Sequence, residues 1–160
     1  MTSESRYSFA QRLVHWLTLA LFLASFVSHE AMKDAWRVVR QGATDFTPDI
    51  GVRVHVIVGI VILLLGVVRI VLRITQGAPA QPAGQARLIT VAAAIVHGLL
   101  YLVILALPLS GMGAWFGMIT DLGEVHEILF NLGLALLAGH VGAALYHQFF
   151  LKDNIMARMR

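Results

Sequence analysis

Residues 88–120 contain no Asp, Glu, Lys or Arg. A helix that crosses a bilayer core needs about 17–25 apolar residues, so this run supplies one span with room for a loop after Pro108 or Gly113. Three further apolar stretches flank it, at residues 13–28, 54–68 and 128–151, each extended by residues whose long side chains reach the interface. Hydrophobic residues make up 58% of the chain and charged residues 13%, with a mean hydropathy of +0.77. A soluble domain would carry about twice that charge. The expected fold is therefore all-α: one integral membrane four-helix bundle over residues 1–160. Residues 13–28 read as a span and not as a cleaved signal, because no A-x-A-like site follows them and a His-Trp pair lies inside the run.

With four spans, both termini share a side with the Pro/Gly-rich connection QGAPAQPAGQ. That side holds Arg6, Arg12, Arg69, Arg73, Arg87, Lys152, Arg158 and Arg160 against Glu4 and Asp153. The opposite side holds Lys33, Arg37, Arg40 and Arg53 against Glu30, Asp34, Asp45, Asp49, Asp121, Glu124 and Glu127. Eight positives against four place both termini in the cytoplasm of a bacterial inner membrane. The net charge of +3 follows from this topology and needs no nucleic-acid partner. The polar stretch around 29–52 has room for a short interfacial helix.

The absence of cysteine excludes disulfides, thiolate-held iron–sulfur clusters, thiolate zinc sites and covalent c-type haem. Seven histidines remain. In the segment HEILFNLGLALLAGH, His126 and His140 are fourteen residues apart. On a helix that is roughly 21 Å of rise and about 40° of rotation, so both rings share one face near opposite membrane surfaces. By depth, His55 groups with His126 on the outer side, and His15, His97, His140 and His147 group toward the inner side; His29 falls in the outer loop. One histidine in a span is commonly a hydrogen-bonded packing residue, but several at matched depths point to a ligand. Zinc wants three or four donors, with no deep acid here to help, whereas haem needs one or two imidazoles and an apolar slot. Gly59, Gly98, Gly133 and Gly139 stand near the rings and are candidates to line that slot. Depth alone leaves open whether His15 or His97 partners His140.

Four segments resemble the bacterial cytochrome b-561 family and the cytochrome b subunits of membrane hydrogenases and formate dehydrogenases. They are RYSFAQRLVHWL at 6–17, RVHVIVGIVILLLGVVRIVLRI at 53–74, HGLLYLVILALPLSG at 97–111 and VHEILFNLGLALLAGHVGAALYHQFFLKDN at 125–154. The resemblance implies two b-type haems, with His55 and His126 as axial ligands of the outer one and His15 and His140 of the inner one. His97 is then a packing or supporting residue. Haem propionates want cationic partners, with Arg53 placed outside and Arg12, Arg69 or Arg73 inside. Family members exchange electrons with ubiquinone or another membrane quinone, and His147, with Tyr146 and Gln148 beside it and Arg73 nearby, is the expected quinone group at the inner edge. The donor expected from the resemblance is periplasmic, superoxide in a superoxide:quinone oxidoreductase or a redox protein when the chain serves as an electron-transfer subunit. Lys33, Arg37, Arg40 and Arg53 would attract an anion, against seven acids on the same side and a 114–124 connection without a basic residue. A non-redox permease with packing histidines is the third class.

Overall fold

The computed structural model describes residues 6–42, 47–80 and 85–160. Among them the chain is entirely helical: α1 Phe9–Val27, α2 His29–Arg40, α3 Ile50–Gln76, α4 Arg87–Gly117 and α5 Thr120–Tyr146. A π-helical turn, His147–Leu151, and a short 3₁₀ turn, Ile155–Met159, complete the C-terminus. Four helices, all but α2, are long and apolar enough to cross a membrane. Asp45 and part of the QGAPAQPAGQ connection lie outside the described residues, as does Glu4.

The helix ends follow local chemistry. Ser8 caps α1 through a reciprocal pair with Gln11, and the Asp49 carboxylate accepts from the Val52 amide at 2.9 Å to start α3. Gly77, at φ 71°, ends α3 where a side chain would be strained. The run 88–120 departs from expectation, because no loop follows Pro108 or Gly113. Instead α4 continues through Pro108 to Gly117, and residues 118–119 alone link it to α5, so the 114–124 connection shrinks to a turn at Met118, φ 54°. A proline removes one helical hydrogen bond, which neighbouring helices compensate in a membrane protein. The stretch 29–52 does hold a helix: α2 has Glu30 in its first turn and Arg37 and Arg40 in its last, complementing its dipole.

Packing follows the order α1 on α3, α3 on α4 and α4 on α5, with α2 lying on α3. Gly66 lets α3 approach Ile104 of α4, where a Cβ would stand 2.7 Å from a methyl carbon. Gly133 lies against Val103 and Phe22, so it is a helix-packing contact and not a wall of the expected slot. A small core of Val103, Leu107 and Phe130 is backed by Phe22, and Phe130 stacks on Phe22 and Phe26 at 6.2 and 6.0 Å. These rings bridge α1 and α5 toward the α2 end of the bundle. Mid-helix Ile57, Leu64 and Leu102 are each 60% exposed, an apolar outer surface suited to lipid.

Candidate functional site: two histidine pairs

At the α2 end, α3 presents His55 and α5 presents His126, with ring centroids 6.3 Å apart and planes at 71°. The His126 Nδ1–H donates to the Leu107 carbonyl at 2.7 Å, and Ser110 Oγ lies 3.3 Å from the same nitrogen. Both partners belong to the ALPLSG stretch of α4. The His55 Nδ1 stands 3.2 Å from Ser28 Oγ, whose hydroxyl donates back to α1 carbonyls and so offers a lone pair to the ring N–H. In both rings Nδ1 takes the hydrogen bond and Nε2 keeps the free lone pair, the tautomer of a metal-binding imidazole.

Both rings line an apolar cleft with His29, Lys33, Trp36, Gly59 and Glu127. Gly111 passes directly behind His126, since a Cβ there would lie 2.8 Å from ring Cε1. Gly123 likewise accepts the Trp36 indole, which seats α2 over the cleft. In Gly59 the position of a Cβ faces open space, as it does in Gly98 and Gly139. His29 was not legible as part of this group, being assigned to a loop. It opens α2, stacks on Phe130 at 4.8 Å and stands 6.5 Å from His55.

At the end shared by the termini, His15 of α1 and His140 of α5 are again 6.3 Å apart, with planes at 61°. His97 of α4 comes closer to His140, at 5.1 Å, and its Nδ1–H donates to the Ala93 carbonyl at 2.6 Å. Arg69 of α3 reaches into this group: its Nη1 lies 3.1 Å from His15 Nδ1, and its guanidinium lies over the Tyr101 ring, 5.6 Å from the centroid.

The remaining candidates divide. Arg12 donates from Nη1 to the backbone oxygen of Arg160, and Trp16 donates to the Met159 carbonyl at 2.9 Å, so the C-terminal turn lies along the start of α1. Arg73 is exposed in the last turn of α3. Arg53 is exposed and donates from Nε to the Pro48 carbonyl. His147 sits in the π-helical turn, its Nδ1 2.5 Å from an Asp153 carboxylate oxygen, a partner that spacing had not revealed. Tyr146 stacks on Phe150 at 5.3 Å, and the Gln148 side-chain oxygen is buried without a hydrogen-bond partner among the described residues.

Long apolar helices thus carry two opposed imidazole pairs, one toward each end. The family model for prokaryotic cytochrome b561 matches residues 6–160. The chain is 35% identical to "Cytochrome b562" of Cereibacter sphaeroides, covering 99% of this chain and 98% of that protein. It is 30% identical to "Cytochrome b561 homolog 1" of Escherichia coli, covering 97% of each. With "Probable superoxide oxidase CybB" of Yersinia pestis it shares 29% identity over 98% of this chain and 96% of that protein. The chain belongs to the prokaryotic cytochrome b561 family, membrane proteins of electron transport that carry b-type haem.

The residues present fit that cofactor. With iron–nitrogen bonds of about 2 Å and each nitrogen about 1.1 Å from its ring centre, two axial imidazoles stand roughly 6.3 Å apart. Both pairs have this spacing, whereas His97 and His140 stand closer. Among the described residues no group of three or more His, Cys, Asp or Glu is arranged to hold a metal ion directly.

Proposed function

We propose that this chain is a four-helix dihaem cytochrome b of the bacterial inner membrane. It carries electrons from a periplasmic donor at the α2 end to the quinone pool at the end bearing both cytoplasmic termini. The observation that carries the reading is the repeated 6.3 Å spacing of His55 with His126 and of His15 with His140. His126 and His140 lie on one helix face roughly 21 Å apart in rise, a separation that spans most of a bilayer core of about 30 Å. Bound haem supplies reversible one-electron storage. The protein orients the four rings, through Leu107, Ser110 and Ser28 at the α2 end. Phe22 and Phe130 pack between the two pairs. Arg69 is the strongest candidate for a propionate partner, and Lys33 is closer to the α2-end cleft than the exposed Arg53, which turns to Pro48.

Quinone is assigned to the terminal end, beside His147, Tyr146 and Gln148. The Asp153 carboxylate holds the His147 ring in place through Nδ1 at 2.5 Å. Superoxide is the small-molecule donor that similarity to the Yersinia protein suggests. A second reading makes the chain the electron-transfer subunit of a larger periplasmic complex. It is favoured by exposed Glu30, Asp34, Asp121, Glu124 and Glu127 at the α2 end, and by a two-residue α4–α5 turn that adds no positive charge.

Stopped-flow mixing of the purified haem-loaded protein with superoxide separates the two. Rapid growth of the reduced α band, followed by its decay when a ubiquinone analogue is added, is expected of the superoxide:quinone reading. Reoxidation by quinone without any reduction by superoxide leaves the subunit reading. A reduced protein that quinone fails to oxidise contradicts both.

A further inference from the structure

The two histidine pairs share a spacing but differ in charge. At the α2-end cleft, Lys33 pairs with Glu30 at 3.5 Å, and Glu127 lines the same cleft. At the terminal end, Arg69 reaches His15 from within the helices, and its Nε is shut off from solvent without a hydrogen-bond partner among the described residues. Arg12 Nε is buried and unpartnered in the same sense. The one described acid at this end, Asp153, is engaged by His147. Tyr101 lies under the guanidinium and His97 beside His140, and neither supplies a carboxylate. A guanidinium in such a place is a fixed positive charge in a medium of low dielectric, where its field is weakly screened.

The contact with His15 adds a chemical asymmetry. A guanidinium only donates, so His15 Nδ1 accepts from Arg69, whereas the other two paired rings with assigned partners donate from Nδ1. Ligation through His15 Nε2 requires the proton on Nδ1. The guanidinium must then turn to an acceptor, and a haem brings its own carboxylates.

We infer that Arg69 makes the terminal site the higher-potential one, so that electrons run from the α2 end toward the termini. The inference rests on the two-haem reading above. Positive charge near an iron favours the state with one more electron, and net charge is a recognised lever on such potentials. Each electron gained by the terminal iron is one lost by the α2-end iron, and no further reactant is needed.

Potentiometric titration of the purified holoprotein, followed at the α band, tests this. The intact protein is expected to titrate in two steps. The His126→Ala variant, keeping only the terminal haem, should titrate near the upper step; titration near the lower step overturns the inference. In Arg69→Gln with both haems retained, the upper midpoint should fall and the lower stay. The electron-sharing constant between the sites should then drop about tenfold or more, while Arg69→Lys stays close to the parent. An unmoved upper midpoint in Arg69→Gln overturns the assignment to Arg69. If Arg69→Gln sheds the terminal haem, the His126→Ala and Arg69→Lys midpoints decide alone. A parent protein with one haem and one step instead overturns the two-haem reading itself.

Discussion

Replacing His126 with alanine is expected to halve the haem content, from two per chain to one, and to leave the terminal haem's spectrum intact. His126 is fixed to α4 through Leu107 and Ser110, and it faces His55 from the opposite wall of the cleft. No other imidazole opposes His55 across that cleft: His29 is near it but stacks on Phe130 from the α2 side. His55→Ala should therefore give the same result, because one axial bond through a lone imidazole holds b-type haem far less firmly than two. His15→Ala and His140→Ala should remove the other haem only. His97→Ala should retain both, since its ring stands too close to His140 to share an iron with it. The readout is haem per chain by pyridine haemochrome, joined to low-temperature α-band spectra that separate the two centres. A His97→Ala protein that loses a haem, with His15→Ala keeping two, would transfer the terminal ligand from α1 to α4.

Gly111→Val should remove the α2-end haem as completely as loss of a ligand does, although residue 111 touches no iron. An added Cβ would lie 2.8 Å from Cε1 and 2.9 Å from Nδ1 of His126. The neighbour is a ring held by the Leu107 carbonyl, not the free tip of a flexible chain, so relief requires breaking that bond and rotating the imidazole. Misdirecting one axial ligand is equivalent to deleting it. Gly142→Ala is the control: a Cβ there meets nothing within 4 Å, and alanine is favoured over glycine in a helix by about 1 kcal/mol. The control should keep two haems. Retention of both haems in Gly111→Val would show that His126 does not depend on its seat against α4.

Hydropathy located the spans because lipid demands long apolar segments, and counting residues paired the rings because helical rise is fixed. The same counting failed wherever tertiary contact decides. Nothing within 88–120 marks where a helix ends, and Pro108 looked like a boundary although its surroundings keep α4 continuous through it. Gly133 looked like a slot residue because glycines in membrane helices serve slots and packing alike, and only its contact with Val103 and Phe22 separates the two roles. The return of the C-terminus along α1 depends on left-handed Lys152 and Asn154, which no periodicity announces. Spacing places His29 and Asp153 but not their contacts, since each gains its role from a partner on another turn or helix.

If four imidazoles hold two haems inside the membrane helices, the purified intact protein has a fixed ratio of haem b to polypeptide, read by pyridine haemochrome against quantitative amino-acid analysis. Two per chain, with both centres reducible by dithionite, is the expected result. A colourless chain from cells supplied with iron and a haem precursor would contradict it.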